Sequence, residues 1–300
     1  MKRKPKDYAM LVLKGMGMGA ADVVPGVSGG TIAFIVGIYD ELIDSIKGID
    51  GRTLKLLLTG KFVSFWKEAN CGFLLSVIAG IAISVFSLAK IITWLLANQP
   101  VLVWSFFFGL VLASTWFVAK SIKGWSWKSV LAFVCGAAIA WFVTVATPAE
   151  TPSSLAFVFL CGAIAICAMI LPGISGSFIL VLLGKYFYIM DAVKSLRIVV
   201  LGTFAVGAVV GIALFSRLLS FALKHARSIT LATLSGFMLG SLNKVWPWKQ
   251  VIETYVDRHG VVKPLVETNV LPDVQIWQGF ALMIIGFAIV YVIEKISESK

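Results

Sequence analysis

Long apolar runs, separated by short polar segments, occupy most of the chain. The runs at residues 71–97, 101–119 and 276–293 approach the ~20 residues that an α-helix needs to cross the hydrocarbon core of a bilayer. Their apolar positions are continuous, whereas the strands of a membrane β-barrel would alternate apolar and polar positions over ~10 residues. The pattern therefore predicts an all-α, polytopic membrane protein.

A break that contains proline and glycine interrupts the apolar pattern near the start of each half of the chain. The arm before the first break carries Lys14 and Asp22 among several glycines, and it is too polar and too short to face lipid. Irregular backbone at membrane depth is tolerated only where protein or a wet cavity surrounds it. We therefore expect in each half a broken, re-entrant helical hairpin followed by about three transmembrane helices. Two full crossings in place of a hairpin would put the loops on the same sides and are the alternative. The expected apolar pieces are ~8–24, ~27–46, 71–97, 100–119 and 128–147, then ~154–171, ~174–190, ~196–222, 228–247 and 275–293.

The two breaks belong to an internal repeat. Residues 24–47 (VPGVSGGTIAFIVGIYDELIDSIK) align without a gap with residues 171–194 (LPGISGSFILVLLGKYFYIMDAVK) at a constant offset of 147. The offset divides one membrane domain into an N-terminal repeat, residues 1–147, and a C-terminal repeat, residues 148–300. Because each unit has an odd number of pieces, we expect the second repeat to be inverted relative to the first, as in many secondary transporters. Nine aligned pairs are identical: Pro25/Pro172, Gly26/Gly173, Ser28/Ser175, Gly29/Gly176, Ile32/Ile179, Gly37/Gly184, Tyr39/Tyr186, Asp44/Asp191 and Lys47/Lys194.

Composition and charge indicate the orientation in the membrane. The chain is 59% hydrophobic and only 14% charged, with a formal net charge of +11. Most of its basic residues fall in segments that share one side, which the positive-inside rule assigns to the cytoplasm together with both termini. The basic charge therefore needs no nucleic acid as a partner. The tryptophan-rich segments 123–128 and 244–249 are expected to be interfacial anchors, and the N-terminal segment lacks the features of a cleaved signal peptide.

The residues of each break suit the binding of an anion. In Pro-Gly-x-Ser-Gly, proline ends the first arm, glycine allows a turn, and serine can cap the following helix. The first N–H groups of that helix lack intrahelical partners and carry the positive end of its dipole, so they attract phosphate or carboxylate. Such breaks also serve close helix packing, but the duplication favours a ligand site at the midplane. The expected binding residues are Ser28, Gly29, Gly30, Thr31, Ser175, Gly176 and Ser177.

Charged residues next to the apolar runs are further candidates, because ionisable groups at membrane depth are costly and usually functional. Asp22 and Glu41 are candidates for coupling transport to a proton or sodium ion. Lys185 and Arg217 are candidates for the counter-charge of a bound phosphate, with snorkelling to the interface as the alternative. The repeated pairs Asp44/Asp191 and Lys47/Lys194 are expected to pair locally at the interface.

The residues alone leave two other functions open. A transporter of a soluble anion would use the same paired breaks. Residues 26–30 also match the G-x-S-x-G pattern of serine hydrolases. A nucleophilic serine needs a base, and the two histidines, His225 and His259, fall in loops or at segment ends, which leaves Lys14 as the other candidate. No cofactor or metal is expected, because Cys71, Cys135, Cys161 and Cys167 lack metal-binding spacing.

Three blocks resemble, in this order, the bacterial polyprenyl-phosphate transporters of the PopT type: GMGMGAADVVPGVSGGTIAFIVGIYDELI (15–43), LPGISGSFILVLLGKY (171–186) and GFMLGSLNKVWPW (236–248). The resemblance covers nearly the whole chain. It implies a transporter rather than an enzyme, located in the bacterial cytoplasmic membrane. The implied substrate is undecaprenyl phosphate, the lipid carrier of cell-envelope synthesis, whose phosphate head must return to the cytoplasmic leaflet after the carrier has delivered its cargo.

Overall fold

The computed structural model describes residues 3–24, 27–146, 148–149, 151–256 and 262–298. Within these residues the protein is nearly all-helical, which confirms the predicted fold class, and one β-hairpin is the exception. The N-terminal repeat contains α1 (Pro5–Asp22), α2 (Gly29–Ile35), α3 (Tyr39–Lys47), α4 (Gly51–Leu58), α5 (Phe62–Glu68), α6 (Cys71–Asn98), α7 (Pro100–Lys120) and α8 (Trp127–Val145). The C-terminal repeat contains α9 (Leu155–Ile170), α10 (Gly176–Leu182), α11 (Tyr186–Lys194), α12 (Ile198–His225), α13 (Arg227–Val245), β1 (Lys249–Val256), β2 (Val262–Asn269) and α14 (Ile276–Glu298).

The order of elements recurs in the two repeats. Helices α10 and α11 begin 147 residues after α2 and α3, while α12 and α13 begin 127 residues after α6 and α7. The shorter interval arises because α4 and α5 occur in the first repeat and have no counterpart between α11 and α12. The long helices α6 and α12 have 28 residues each. The inverted relation of the two repeats stays a prediction.

The helices of the two repeats interlock. Within each repeat the first long helix packs along the second, α1 on α6 and α9 on α12. Between repeats, α7 packs along α14 and α8 along α13, so the last helix of each repeat lies against the other repeat. The main buried apolar cluster includes residues of α1, α2, α3, α7 and α13. The breaks therefore lie inside the bundle rather than on its surface.

Five helices of the described chain are long and apolar enough to cross a membrane: Cys71–Leu88 within α6, then α7, α8 and α12, and Ile276–Lys295 within α14. The protein is thus a multi-pass membrane protein. The sixth expected crossing, α13, has 19 residues but carries Arg227, Lys244 and several hydroxyl side chains. Much of α13 is buried against α7 and α8, so neighbouring helices rather than lipid surround its polar groups.

The second arm of each hairpin differs from the expectation of one continuous helix. A bend separates α2 from α3, and another separates α10 from α11, where the chain turns by 108°. Gly37 (φ +69°) and Gly184 (φ +61°), an identical pair of the repeat, lie at these bends in the left-handed conformation that glycine adopts without a Cβ penalty. Helix α2 packs back on α1 and α10 packs back on α9, as the arms of a hairpin do.

The segment between α13 and α14, which falls outside the expected apolar pieces, contains the β-hairpin. Strands β1 and β2 pair antiparallel, with Lys249 opposite Asn269. Two indole N–H groups fix the base of the hairpin, since Trp246 donates to the carbonyl of Val270 (2.9 Å) and Trp248 donates to that of Val274 (2.8 Å). Trp248 is only 1% exposed. It is therefore a core residue and not the interfacial anchor that the sequence suggested.

Candidate functional site

The first break, residues 23–28, places Ser28 at the N-cap of α2. The Ser28 hydroxyl oxygen accepts a hydrogen bond from the N–H of Gly30 (3.1 Å), as the sequence predicted. The carboxylate of Asp22 accepts a hydrogen bond from the N–H of Gly29 (2.7 Å). A carboxylate of the chain itself therefore occupies the positive end of this helix. The motif residues Pro25 and Gly26 lie outside the described residues.

The two breaks are in direct contact. The Ser28 hydroxyl donates to the carbonyl of Met169 (2.8 Å), and the N–H of Gly173 donates to Thr31 Oγ1 (3.0 Å). Gly30 lies so close to the end of α9 that an added Cβ would collide with the carbonyl oxygen of Ile170. Ser28 and Thr31 are 2% and 0% exposed. The first break is therefore sealed against the C-terminal repeat.

The second break, residues 171–175, has a different environment. Ser175 is the N-cap residue of α10, but its side chain makes no capping hydrogen bond. Its hydroxyl instead lies 2.9 Å from that of Ser177, which is exposed. Beside the break is a small cleft that extends between α8 and α13 and is lined by Ala140, Val143, Thr144, Gly173, Ile174, Ser175, Phe178 and Lys244.

Lys244 is a cation that we did not select from the sequence. It lies in the last turn of α13, and its ammonium nitrogen is 3.7 Å from the Glu267 carboxylate of β2. The available signal was its position within the third resembling block, between apolar residues and the two tryptophans. Only the packing of α13 against α8 shows that this lysine reaches the cleft at the second break.

The two predicted cations have other partners. The ammonium of Lys185 is buried, and it donates to the carbonyl of Thr151 (2.7 Å) and to the hydroxyl of Ser153 (3.3 Å). Arg217 donates to the carbonyl of Ala213 (2.6 Å), one turn earlier in α12. These hydrogen bonds join neither side chain to a residue of the two breaks. Their role in substrate binding stays a prediction.

The two predicted coupling residues are also separated. Asp22 is in the first break, bonded to Gly29. Glu41 lies in the first turn of α3, where it forms an ion pair with Arg3 (2.5 Å) and accepts a hydrogen bond from the amide of Asn70 (2.8 Å). The structure thus gives Asp22 a place next to the expected ligand site and gives Glu41 a place in a network that ties α3 to the N-terminus and to α6.

A cluster of charged residues, which we call the α3–α12 cluster, joins the two repeats at one face. The Asp44 carboxylate accepts hydrogen bonds from Ser220 (2.7 Å) and Lys224 (3.1 Å). The other members are Lys47, which donates to Ser220 (3.2 Å), and the ion pair of Asp40 with Arg227 (2.9 Å). The expectation that Asp44 and Lys47 pair locally was wrong, because α3 packs against α12 of the other repeat. Its counterpart Asp191 does pair locally, with Arg197 (2.5 Å).

Within the described residues, the two candidate bases His225 and Lys14 contact residues other than Ser28. The ring of His225 stacks on Phe221 at the end of α12, with 4.2 Å between centroids. The Lys14 ammonium donates to the carbonyl of Val36 (2.6 Å). His259 lies outside the described residues, and within those residues no three His, Cys, Asp or Glu side chains group to hold a metal.

Comparison with known proteins gives a consistent result. Residues 18–263 match the model of a family described as undecaprenyl phosphate translocase-like. A polyprenyl-phosphate transporter of Vibrio cholerae is 42% identical over 99% of this chain and 100% of its own length. A polyprenyl-phosphate transporter of Staphylococcus aureus is 31% identical over 79% of this chain and 85% of its own length. No solved structure matches the chain significantly.

The similarity therefore extends through both breaks, the interlocked helices and Lys244, and it is not confined to one motif. A chance likeness between two apolar sequences would not extend over nearly every residue of both chains. The chain belongs to the undecaprenyl phosphate translocase-like family.

Proposed function

We propose that this protein is a translocase that returns undecaprenyl phosphate across the bacterial cytoplasmic membrane for reuse in cell-envelope synthesis. The observation that carries the proposal is the direct contact of the two breaks inside the bundle, by the Ser28–Met169 and Thr31–Gly173 hydrogen bonds. Two polar backbone breaks at membrane depth are expected where they serve a substrate. The family and the names of the two relatives supply the chemical identity of that substrate.

The phosphate is held, in this proposal, by the backbone N–H groups and hydroxyls of Ser28, Gly29, Gly30, Thr31, Ser175, Gly176 and Ser177. In the conformation described, Asp22 already occupies the N–H of Gly29. Binding of the phosphate to the first break then requires Asp22 to leave, which exchanges one anion for another at the same helix end. That exchange is the reason to retain Asp22 as the coupling residue ahead of Glu41, whose carboxylate is held by Arg3.

The transport cycle alternates access to the two breaks. The α3–α12 cluster joins the two repeats at one face, where its residues line a small pocket, and the positive-inside rule assigns that face to the cytoplasm. The cleft beside Ser175 lies on the side of the β-hairpin, which the same rule assigns to the exterior. In this cycle the lipid head passes between these two faces, while the polyprenyl tail stays in the bilayer between helices.

The test is a measurement of undecaprenyl phosphate on the outer surface of cells, with a probe for the outward-facing lipid phosphate. Cells that lack this protein and any redundant carrier should accumulate the lipid outside. Wild type and the exposed-serine control Ser87→Ala should relieve the accumulation, whereas the double variant Ser28→Ala/Ser175→Ala should not. If removal of the protein leaves the outward lipid unchanged, the lipid substrate is wrong, and a soluble anion becomes the substrate to test.

A further inference from the structure

Two lysines and one glutamate come together where α13 leads into the β-hairpin. Lys244 and Lys249 are both partly buried, and the charge of each acts on the other. Glu267 of β2 lies beside them, 3.7 Å from the ammonium of Lys244. Two ammonium groups that share one carboxylate leave a net positive charge. Partial burial makes such a charge costly unless an anion neutralises it.

The ammonium of Lys244 has unused hydrogen-bonding capacity. It lies over the ring of Phe178, 4.9 Å from the centroid, and it makes no hydrogen bond within the part of the chain that the structure describes. Both Phe178 and Lys244 line the cleft at the second break. An ammonium group carries three N–H donors, so Lys244 can donate to a ligand in the cleft without giving up an existing hydrogen bond.

A chain of polar side chains connects Lys249 with the same cleft. Lys249 donates to the side-chain oxygen of Asn269 (3.4 Å), the amide of Asn269 donates to Asn243 (2.9 Å), and the amide of Asn243 donates to Thr144 (2.7 Å). Thr144 lines the cleft opposite Ser175. These bonds fix the polar wall of the cleft, and Lys249 is held at its outer end, near the ring of Trp104.

We propose that Lys244 and Lys249 bind a phosphate monoester at the mouth of the cleft beside the second break. Two ammonium groups match the charge of a phosphate monoester, which is close to −2 at neutral pH, and the apolar residues Ala140, Val143 and Ile174 line the cleft next to them. A phosphate that carries an apolar chain suits this surface better than a fully hydrated anion. That the ligand carries a prenyl chain rests on the proposed function. That it carries a phosphate rests on the two lysines alone.

The titration of Lys249 supports the same site. Burial, and after it the charge of Lys244, lowers the pKa of Lys249 from 10.5 to about 8, while Glu267 acts in the opposite direction. The groups that face Lys249 are Lys244 from α13, Glu267 and Asn269 from β2, and Trp104 from α7. Because the charged form of Lys249 binds the phosphate, binding should weaken as the pH rises through about 8, and this weakening should be smaller in Lys249→Gln.

The experiment measures binding to the full-length protein in lipid nanodiscs. The ligands are a short-chain prenyl phosphate, the corresponding prenyl alcohol and inorganic phosphate. The proteins are wild type, Lys244→Gln, Lys249→Gln and the exposed-lysine control Lys123→Gln. We expect each cleft variant to bind prenyl phosphate at least about tenfold more weakly than wild type, because a charge-assisted hydrogen bond is lost, and the control to bind as wild type does. Lys249→Gln should melt no lower than wild type, since it removes a partly buried charge.

The outcomes separate this site from the proposed function. If wild type binds prenyl phosphate and both variants bind it equally well, the lysine site is wrong and the proposed function stands. If wild type binds only inorganic phosphate, and does so through the lysines, the site stands and the lipid substrate is wrong. If neither phosphate binds, or if the prenyl alcohol binds as tightly as the phosphate, the site is overturned.

Discussion

The two breaks have nearly the same sequence but make different hydrogen bonds. At the first break the hydroxyl of Ser28 caps α2 and bonds to Met169, and Gly30 packs against Ile170. At the second break the side chain of Ser175 makes no capping hydrogen bond with α10. The counterpart of Gly30 is Ser177, which is exposed. The hydrogen bonds that a repeated motif makes thus depend on which backbone lies opposite it.

The same difference appears one helix later. Helix α3 packs on α12 of the other repeat, while the contacts of α11 include α12 of its own repeat. The residues of α6 and α7 that correspond to Ser220, Lys224 and Arg227 at the offset of 127 are Thr93, Ala97 and Pro100. These residues include no cation that could hold Asp191. The contacts around Asp191 therefore differ from those of the α3–α12 cluster. The two faces of the protein are not equivalent.

The largest expected effect on stability comes from adding a methyl group at Gly30. In Gly30→Ala the added Cβ would collide with the backbone carbonyl of Ile170, and overpacking of this kind costs about 1–3 kcal/mol. The control is Gly202→Ala in α12, where a Cβ meets nothing within 4 Å and alanine should be neutral or slightly stabilising. Thermal melting of both variants checks the difference. A Gly30→Ala variant as stable as wild type would show that the first break is not sealed.

The two serines of the breaks should differ in their contributions to stability. Ser28→Ala removes a helix cap and the hydrogen bond to Met169, which together should cost about 1–2 kcal/mol. Ser175→Ala removes no cap and should change the free energy of unfolding by less than about 0.5 kcal/mol. Chemical unfolding of the two single variants in the same detergent measures this difference. Equal losses would mean that the two breaks are equivalent in solution.

The charged cluster between the repeats should affect transport more than it affects stability. Asp44 and Lys224 are about half exposed, so their ion pair contributes less than about 1 kcal/mol. Asp44→Asn should change the transport rate by up to about fivefold, because the pair joins the two repeats and a loss of less than about 1 kcal/mol shifts the balance between conformations by up to that factor. The matched control is Asp191→Asn, whose partner Arg197 is in the same repeat. Equal transport rates in Asp44→Asn and Asp191→Asn would show that the α3–α12 cluster has no specific role in the transport cycle.

Sequence reasoning predicted the features that local chemistry determines. The caps and turns depend on residues within a few positions of one another, so Ser28 at an N-cap and the repeated Gly37 and Gly184 could be read from the chain. The number of membrane crossings is harder to predict from the sequence than the caps and turns are. Helix α13 is less apolar than the five spanning helices, and it can carry polar groups because α7 and α8 shield them from lipid. A linear sequence does not indicate which helices are shielded in this way.

The sequence by itself determined that this is a membrane protein, that it is built from two related repeats, and where each repeat breaks. These properties follow from apolar content and from identical residues at a constant spacing, which need no knowledge of contacts. Only the tertiary structure decided that Ser28 bonds to the other repeat while Ser175 bonds to Ser177, that Asp44 bonds to the other repeat, and that Lys244 reaches the cleft. Apart from the contact of Ser175 with Ser177, each of these depends on hydrogen bonds or close approaches between residues about a hundred or more positions apart, and such pairs are set by how whole helices pack.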